Sequence, residues 1–310
     1  IGTMRRLPGI GQTGVNVREL QAILGAVFAV VLWGALPLIR ELGSAVPPLQ
    51  TTAIALICAS VVETLRVAML KPGAGHGVRG APLGLRDGAV LSFSLVGAIA
   101  FYFLGLGQAP ATQVTLITYI WPLIFVAAME IQAEGRLRPM VIGGALIAFA
   151  GAGILVGRDL STGLSLTHAL GYAAGIASGC SWVVYSMALR RCENIGQEAF
   201  PKLFAAGAVI AAVLHLGTEA TVWPLGLKAL AVCALIGVGP YGLAFIAWAD
   251  GVRNGPPRLV GNLAYGVPVI TALLLIAVGM TEPTWHVLVG GAAVVAGVAF
   301  GNQGRSGKTA

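Results

Sequence analysis

The chain has 310 residues, 57% of them hydrophobic and only 10% charged, with 19 Lys and Arg against 12 Asp and Glu and a net charge of +7. Water-soluble domains carry roughly a quarter charged residues, so this composition excludes an ordinary soluble fold and makes a lipid bilayer the expected solvent. The excess of base does not argue for nucleic acid, because basic residues spread over loops that face anionic headgroups account for it.

In chain order, residues 1–19 form a basic terminal segment with Arg5, Arg6 and Arg18. Five apolar windows follow, at Leu20 to Ile39, Pro47 to Val62, Gly88 to Gln108, Thr112 to Met129 and Pro139 to Gly157. After residues 158–168 come five more, at Ala169 to Leu189, Leu203 to Leu216, Ala229 to Ala249, Leu259 to Thr281 and Thr284 to Gly301. A short tail, 302–310, ends the chain. These are continuous runs, most about twice as long as the roughly ten-residue alternating strands of a barrel, so they read as helices. About 20 residues rising ~1.5 Å each cover a hydrocarbon core of about 30 Å. The expected fold is all-α and polytopic, with ten transmembrane helices. The 44 glycines suit it, since small residues let membrane-spanning backbones approach closely.

If the spans alternate, all but three of the 19 basic residues fall on one side; the exceptions are Arg40, Arg158 and Lys228. The positive-inside rule makes the basic side cytoplasmic and places both termini there. Adding or losing a span mid-chain would scatter the bases, so their placement supports ten independently of hydropathy.

Sliding the chain against itself by 146 residues brings Pro110 onto Pro256, Tyr119 onto Tyr265 and Pro122 onto Pro268, and Gly144 and Gly151 onto Gly290 and Gly297. Two five-helix halves are expected, 20–157 and 169–301, joined by an extracytoplasmic connection at 158–168. An odd number of spans per half makes the second half enter from the opposite side, an inverted repeat that can pack in two unequal ways and open a central cavity alternately to each side. Transport is the leading expectation, with a small-molecule substrate and the bilayer as partners.

Pro37, Pro122 and Pro268 are the candidate hinges or kinks, since each removes an intrahelical hydrogen bond and frees a carbonyl. Trp223 and Trp285 fall near span ends and read as interfacial anchors. Trp33, Tyr102, Tyr119, Trp121, Trp182, Tyr185 and Tyr265 lie deeper. With Gln108, Thr115, Thr118 and Asn262 they would make a mostly apolar, sparsely polar cavity for an amphiphilic organic solute, with cavity water or the solute itself satisfying hydroxyl and indole groups.

Mid-span positions hold no Asp, Glu, Lys or Arg, which argues against a buried carboxylate proton relay. Glu63 is expected to pair with Arg66 one turn away. Asp250, close to Arg253, is either a structural pair or a cytoplasmic gate. Cys58, Cys180, Cys192 and Cys233 lack metal-ligand spacing, and no phosphate loop, nucleophile elbow or paired carboxylates appear, so neither a metal, a cofactor nor an enzyme is expected.

At Val31-Leu32-Trp33-Gly34, Thr118-Tyr119-Ile120-Trp121-Pro122-Leu123 and Gly290-Gly291-Ala292 with Gly297, the sequence resembles the EamA-type members of the drug/metabolite transporter superfamily. Tyr119-Ile120-Trp121-Pro122 and Ser181-Trp182-Val183-Val184-Tyr185-Ser186 with Arg190-Arg191 resemble the YddG aromatic amino-acid exporter family within it. The resemblance implies a bacterial inner-membrane exporter of aromatic and other neutral amino acids working by alternating access, with Tyr119 and Trp121 matching its fourth-helix motif and Trp182 and Tyr185 its sixth. Gly266-Val267 stand where the first half has Ile120-Trp121, so one cavity wall differs. An exporter of another metabolite or drug, and a non-transporting sensor or scaffold, are the alternatives; the oligomeric state is open.

Overall fold

The computed structural model describes residues 17–42, 46–69, 83–157, 165–192 and 195–303. Most of the expected N-terminal segment, most of the 158–168 connection with Arg158, and the tail beyond Gln303 lie outside them. The described residues are helical almost throughout and form no strand. Ten helical spans are long and apolar enough to cross a bilayer. Spans 1 to 5 are Val17–Glu41, Pro48–Met69, Leu85–Leu106, Ala111–Gln132 and Pro139–Val156, and spans 6 to 10 are Leu166–Arg191, Ala199–Thr218, Leu227–Asn254, Pro257–Ala277 and Trp285–Asn302. Several run past the apolar windows, because a helix continues into the headgroup region where Arg18, Glu19 and Arg253 find polar surroundings.

Proline interrupts two spans in the same way. In span 4 the helix breaks between Thr118 and Trp121, and in span 9 between Leu263 and Gly266, each time with Pro122 or Pro268 in the first turn of the new segment. Pro at that position has no amide hydrogen to lose. Pro37 behaves differently, lying within the unbroken helix of span 1. A third irregularity, unforeseen from sequence, is a π-helical turn at Gly239–Leu243 in span 8, which frees the Pro240 carbonyl to accept from Trp33 Nε1 at 2.9 Å.

Packing is organised by pairs of equivalent spans. Span 5 lies against span 10 and span 2 against span 7, while the contacts of span 1 with spans 8 and 9 recur as those of span 6 with spans 3 and 4. Glycine makes the 5/10 crossing possible. A Cβ on Gly144 would lie 2.5 Å from the Gly301 backbone, and one on Gly151 would lie 2.7 Å from the Gly290 carbonyl. Residue numbers therefore rise along span 5 as they fall along span 10, so these equivalent helices run antiparallel. The same sense holds where Ser60 Oγ donates to the Pro201 carbonyl at 2.8 Å and Gly207 meets Leu56.

The outer surface is apolar, with Phe28, Ile57, Leu104, Val209 and Val295 exposed, as a lipid-facing surface requires. Inside, Phe125, Phe200, Phe204, Phe245 and Trp248 are fully buried in one core. One end of the bundle gathers Glu19, Glu130, Asn254, Arg258 and Asn302 and is called here the Val17 face; the opposite end is the Arg40 face.

Candidate functional site

The alternation of span breaks and glycine crossings leaves a cavity of about 200 Å³ between spans 1, 3, 4, 6, 8 and 9. Of the residues singled out from sequence, Trp33, Tyr102, Thr118, Tyr119, Trp121 and Trp182 line it. Leu36, Phe103, Tyr241 and Phe245 line it as well and were not singled out. Leu36 and Phe103 lie within the last two turns of spans 1 and 3, so the cavity occupies the half of the bundle toward the Arg40 face.

Its floor is a connected aromatic cluster. Trp121 and Trp182 stack at 5.7 Å between centroids, and Trp182 stacks on Phe245 at 5.8 Å. Trp33 meets Trp182, Phe245 and Trp248 at 5.3 to 5.6 Å. Offset and edge-on pairs of this kind add about 0.5–1.5 kcal/mol each beyond burial. Below them, toward the Val17 face, Tyr185, Trp248 and Phe125 are buried in the same core.

Polar groups near the cavity largely satisfy one another. The Tyr102 hydroxyl and Thr115 Oγ1 are 2.9 Å apart, and Thr118 Oγ1 donates to the Gly175 carbonyl at 3.2 Å. Trp248 Nε1 donates to Ser186 Oγ at 3.2 Å. The indole N–H groups of Trp33 and Trp248 thus both donate to protein, so that of Trp33 needs neither cavity water nor solute. What remains is an aromatic surface with few polar atoms.

Five expected cavity residues do not line it: Gln108, Thr115, Tyr185, Asn262 and Tyr265. Gln108 is exposed in the turn after span 3. Tyr185 sits beneath Trp182 in the floor, with centroids 6.2 Å apart. Tyr265 is fully buried and packs with Ala148, Ala152 and Val294 of spans 5 and 10. Asn262, also fully buried, lies against Gly301, and neither of its side-chain polar atoms has a hydrogen-bond partner among the described residues. Span 9 presents Ala264 and Val267 to the cavity instead, while Tyr265, in the break between its two helical segments, packs against spans 5 and 10. Thr115 stands behind the wall, its Oγ1 2.9 Å from the Tyr102 hydroxyl.

At the Val17 face the expected Glu63–Arg66 pair forms at 2.6 Å. Asp250 and Arg253 form no ion pair: Asp250 accepts from Asn254 Nδ2 at 2.7 Å, while Arg253 donates to the carbonyls of Ala249 and Ile195, each at 3.0 Å. The stronger lock on that face lies elsewhere. Glu130, at the end of span 4 and buried, binds Arg138 at 2.7 Å and also the guanidinium of Arg258 at the start of span 9; Glu134 reaches both arginines. The bond from Glu130 pushes the Arg138 guanidinium above its ordinary value, so it stays charged. Among the described residues no cluster of His, Cys, Asp or Glu could hold a metal ion.

Comparison with known proteins agrees with this architecture. The EamA-like transporter family matches residues 20–157 and again 166–302. The aromatic amino acid exporter YddG of Ancylobacter novellus is 35% identical over 272 residues, covering 87% of this chain and 93% of that protein. A solved crystal structure superposes with a TM-score of 0.82 at 32% identity, covering 92% of this chain and 98% of that one. The chain belongs to the EamA-like transporter family of the drug/metabolite transporter superfamily, and is a multi-pass membrane transporter rather than an enzyme.

Proposed function

We propose that the protein exports aromatic and other neutral amino acids across the bacterial inner membrane by alternating access. The observation that carries this is the cavity itself: Trp33, Tyr119, Trp121 and Trp182 wall a space of about 200 Å³, below the ~300–1,000 Å³ of most ligand pockets, which suits a single small solute with an apolar ring. The likeness to a named aromatic amino acid exporter over most of both chains points the same way. The positive-inside rule makes the basic Val17 face cytoplasmic. The cavity then lies toward the exit side, with its cytoplasmic path closed by Tyr185 and Trp248 and by the bonds of Glu130 to Arg258.

Antiparallel packing of spans 5 and 10, and of spans 2 and 7, supports an inverted relation between the halves 20–157 and 169–301. Exchanging their packings would move the seal from one face to the other. The breaks before Pro122 and Pro268 are the natural places to flex; Asp250 and Arg253 lie at the inner end of span 8, where such a change would be felt. No carboxylate lines the cavity, so we assign no proton relay within it.

Purified protein in liposomes should speed movement of labelled Phe, Trp or Met across the bilayer. Absence of accelerated flux in either insertion direction would overturn this reading, and competition by other metabolites would show how broad the cargo is.

A further inference from the structure

Arg40 is one of three basic residues on the side of the membrane that the other bases avoid, so its position calls for a physical reason. It lies seven residues after Trp33 and four after Leu36, on the helical stripe of span 1 that both present to the cavity. Its guanidinium carbon stands 4.8 Å from the centroid of the Phe103 ring, and Phe103 lines the cavity on its Arg40-facing side.

Its surroundings leave the charge available. Among the described residues no carboxylate forms an ion pair with Arg40, and none accepts a hydrogen bond from it. The neighbouring Glu41 is adjacent in sequence and points to a different face of the helix. A ring under one face of a guanidinium holds the plane in place by cation–π attraction. The N–H groups in that plane keep the fork geometry that matches a carboxylate.

We propose that Arg40 is a specificity-determining residue that takes the carboxylate of the solute at the Arg40-facing end of the cavity, while the ring of the solute lies on the aromatic floor. This rests on the reading of the cargo as an amino acid and adds which end of it points outward. It also assigns a basis for rejecting amines and amides of the same apolar shape, which would leave the guanidinium without its partner.

The test is binding to the purified full-length protein, followed by quenching of intrinsic tryptophan fluorescence, with three probes: Phe, phenylalaninamide and 3-phenylpropionate. Wild type should bind the two carboxylates more tightly than the amide. Arg40→Gln should weaken both carboxylates by roughly 10- to 100-fold, the usual worth of a charge-assisted hydrogen bond, and leave the amide within about twofold. Arg40→Lys, which keeps the charge without the fork, should recover part of the loss.

If Arg40→Gln leaves carboxylate binding unchanged, or weakens all three probes alike, the proposal is overturned. If 3-phenylpropionate binding depends on Arg40 while Phe neither binds nor moves across liposomes, Arg40 keeps its role and the amino-acid reading fails. If wild type binds neither carboxylate, both fail. Equal melting temperatures of the variants exclude misfolding as the cause, and a change in melting temperature that depends on anionic lipid, without a change in binding, would assign Arg40 to headgroups and overturn the proposal.

Discussion

Trp121 and Trp182 stack with their centroids 5.7 Å apart and their planes 25° from parallel, joining span 4 of the first half to span 6 of the second at the cavity floor. Removing either ring should lower transport more than folded yield, because the floor is where a solute ring would rest. Trp121→Ala and Trp182→Ala should each reduce flux at least tenfold, measured with labelled Phe in liposomes and normalised to monodisperse protein. Their effects should be non-additive, with a coupling of about 0.5–1.5 kcal/mol in a double-mutant cycle. Equal losses of yield and flux would make the pair a packing feature only.

The seal on the Val17 face should be held chiefly by the buried carboxylate of Glu130, which binds Arg258 across the gap between spans 4 and 9. Glu130→Gln removes the buried carboxylate that Arg138 and Arg258 share and leaves them only the more exposed Glu134, a loss of about 1–3 kcal/mol. The expected outcome is greater reactivity toward a small maleimide of a Val260→Cys reporter, whose parent residue is fully buried two residues after Arg258 in span 9. Unchanged labelling would place the seal in the aromatic layer alone.

Much of this arrangement is legible in the residues. Ten apolar windows mark ten spans, and the matched Tyr119 to Pro122 and Tyr265 to Pro268 segments mark the two helix breaks. The cavity wall is only half legible, for a geometric reason. Aligning Tyr265 with Tyr119 matches their places in the sequence repeat but not their surroundings: Tyr119 reaches the cavity from the edge of the cluster in which Tyr265 is fully buried, with Ala148, Ala152 and Val294. The π turn has a local signal in Gly239-Pro240, a pair that interrupts regular helix. Asp250 and Arg253 show the limit of spacing: a three-residue interval suggests a pair, but nothing in it reveals that the Ile195 carbonyl arrives to take the guanidinium.

The crossing of spans 5 and 10 depends on absent side chains. Gly144→Ala would set a methyl carbon 2.5 Å from the Gly301 backbone, so the helices must separate. A cost of about 1–3 kcal/mol is expected from overpacking, read as a lower melting temperature in detergent. Phe and Met flux per folded molecule should fall together, since the crossing lies outside the cavity. A selective loss of one substrate would mean that the crossing shapes the site.

Coupling to an ion gradient follows from where the buried carboxylates lie. Glu63 and Glu130 both sit at the Val17 face, bonded to arginines, and the cavity wall offers only hydroxyl and indole groups. With a fixed Phe gradient, imposing a pH or sodium gradient across liposomes should change the rate by less than about twofold and drive no accumulation, as expected where no carboxylate or histidine lines the cavity. Concentrative uptake under either gradient would require a titrating or ion-binding group on the route.

On the Arg40 face, the carboxylate of Glu219 accepts from the Leu49 amide at 3.0 and 3.1 Å and from the Gln50 amide at 3.2 Å, and lies 2.9 Å from His215 Nδ1. It therefore caps the start of span 2 from the end of span 7, adding a negative charge where the helix dipole favours one. Glu219→Gln keeps the shape but replaces an acceptor-only group with an amide that offers a donor to those same N–H groups. Stability should drop by about 1–2 kcal/mol, visible as a lower melting temperature, and Glu219→Ala should be no milder. His215→Ala should cost less, because the two backbone amides keep the carboxylate in place without it. A larger loss from His215→Ala than from Glu219→Gln would reverse this order and make the histidine, rather than the helix cap, the element that joins spans 2 and 7.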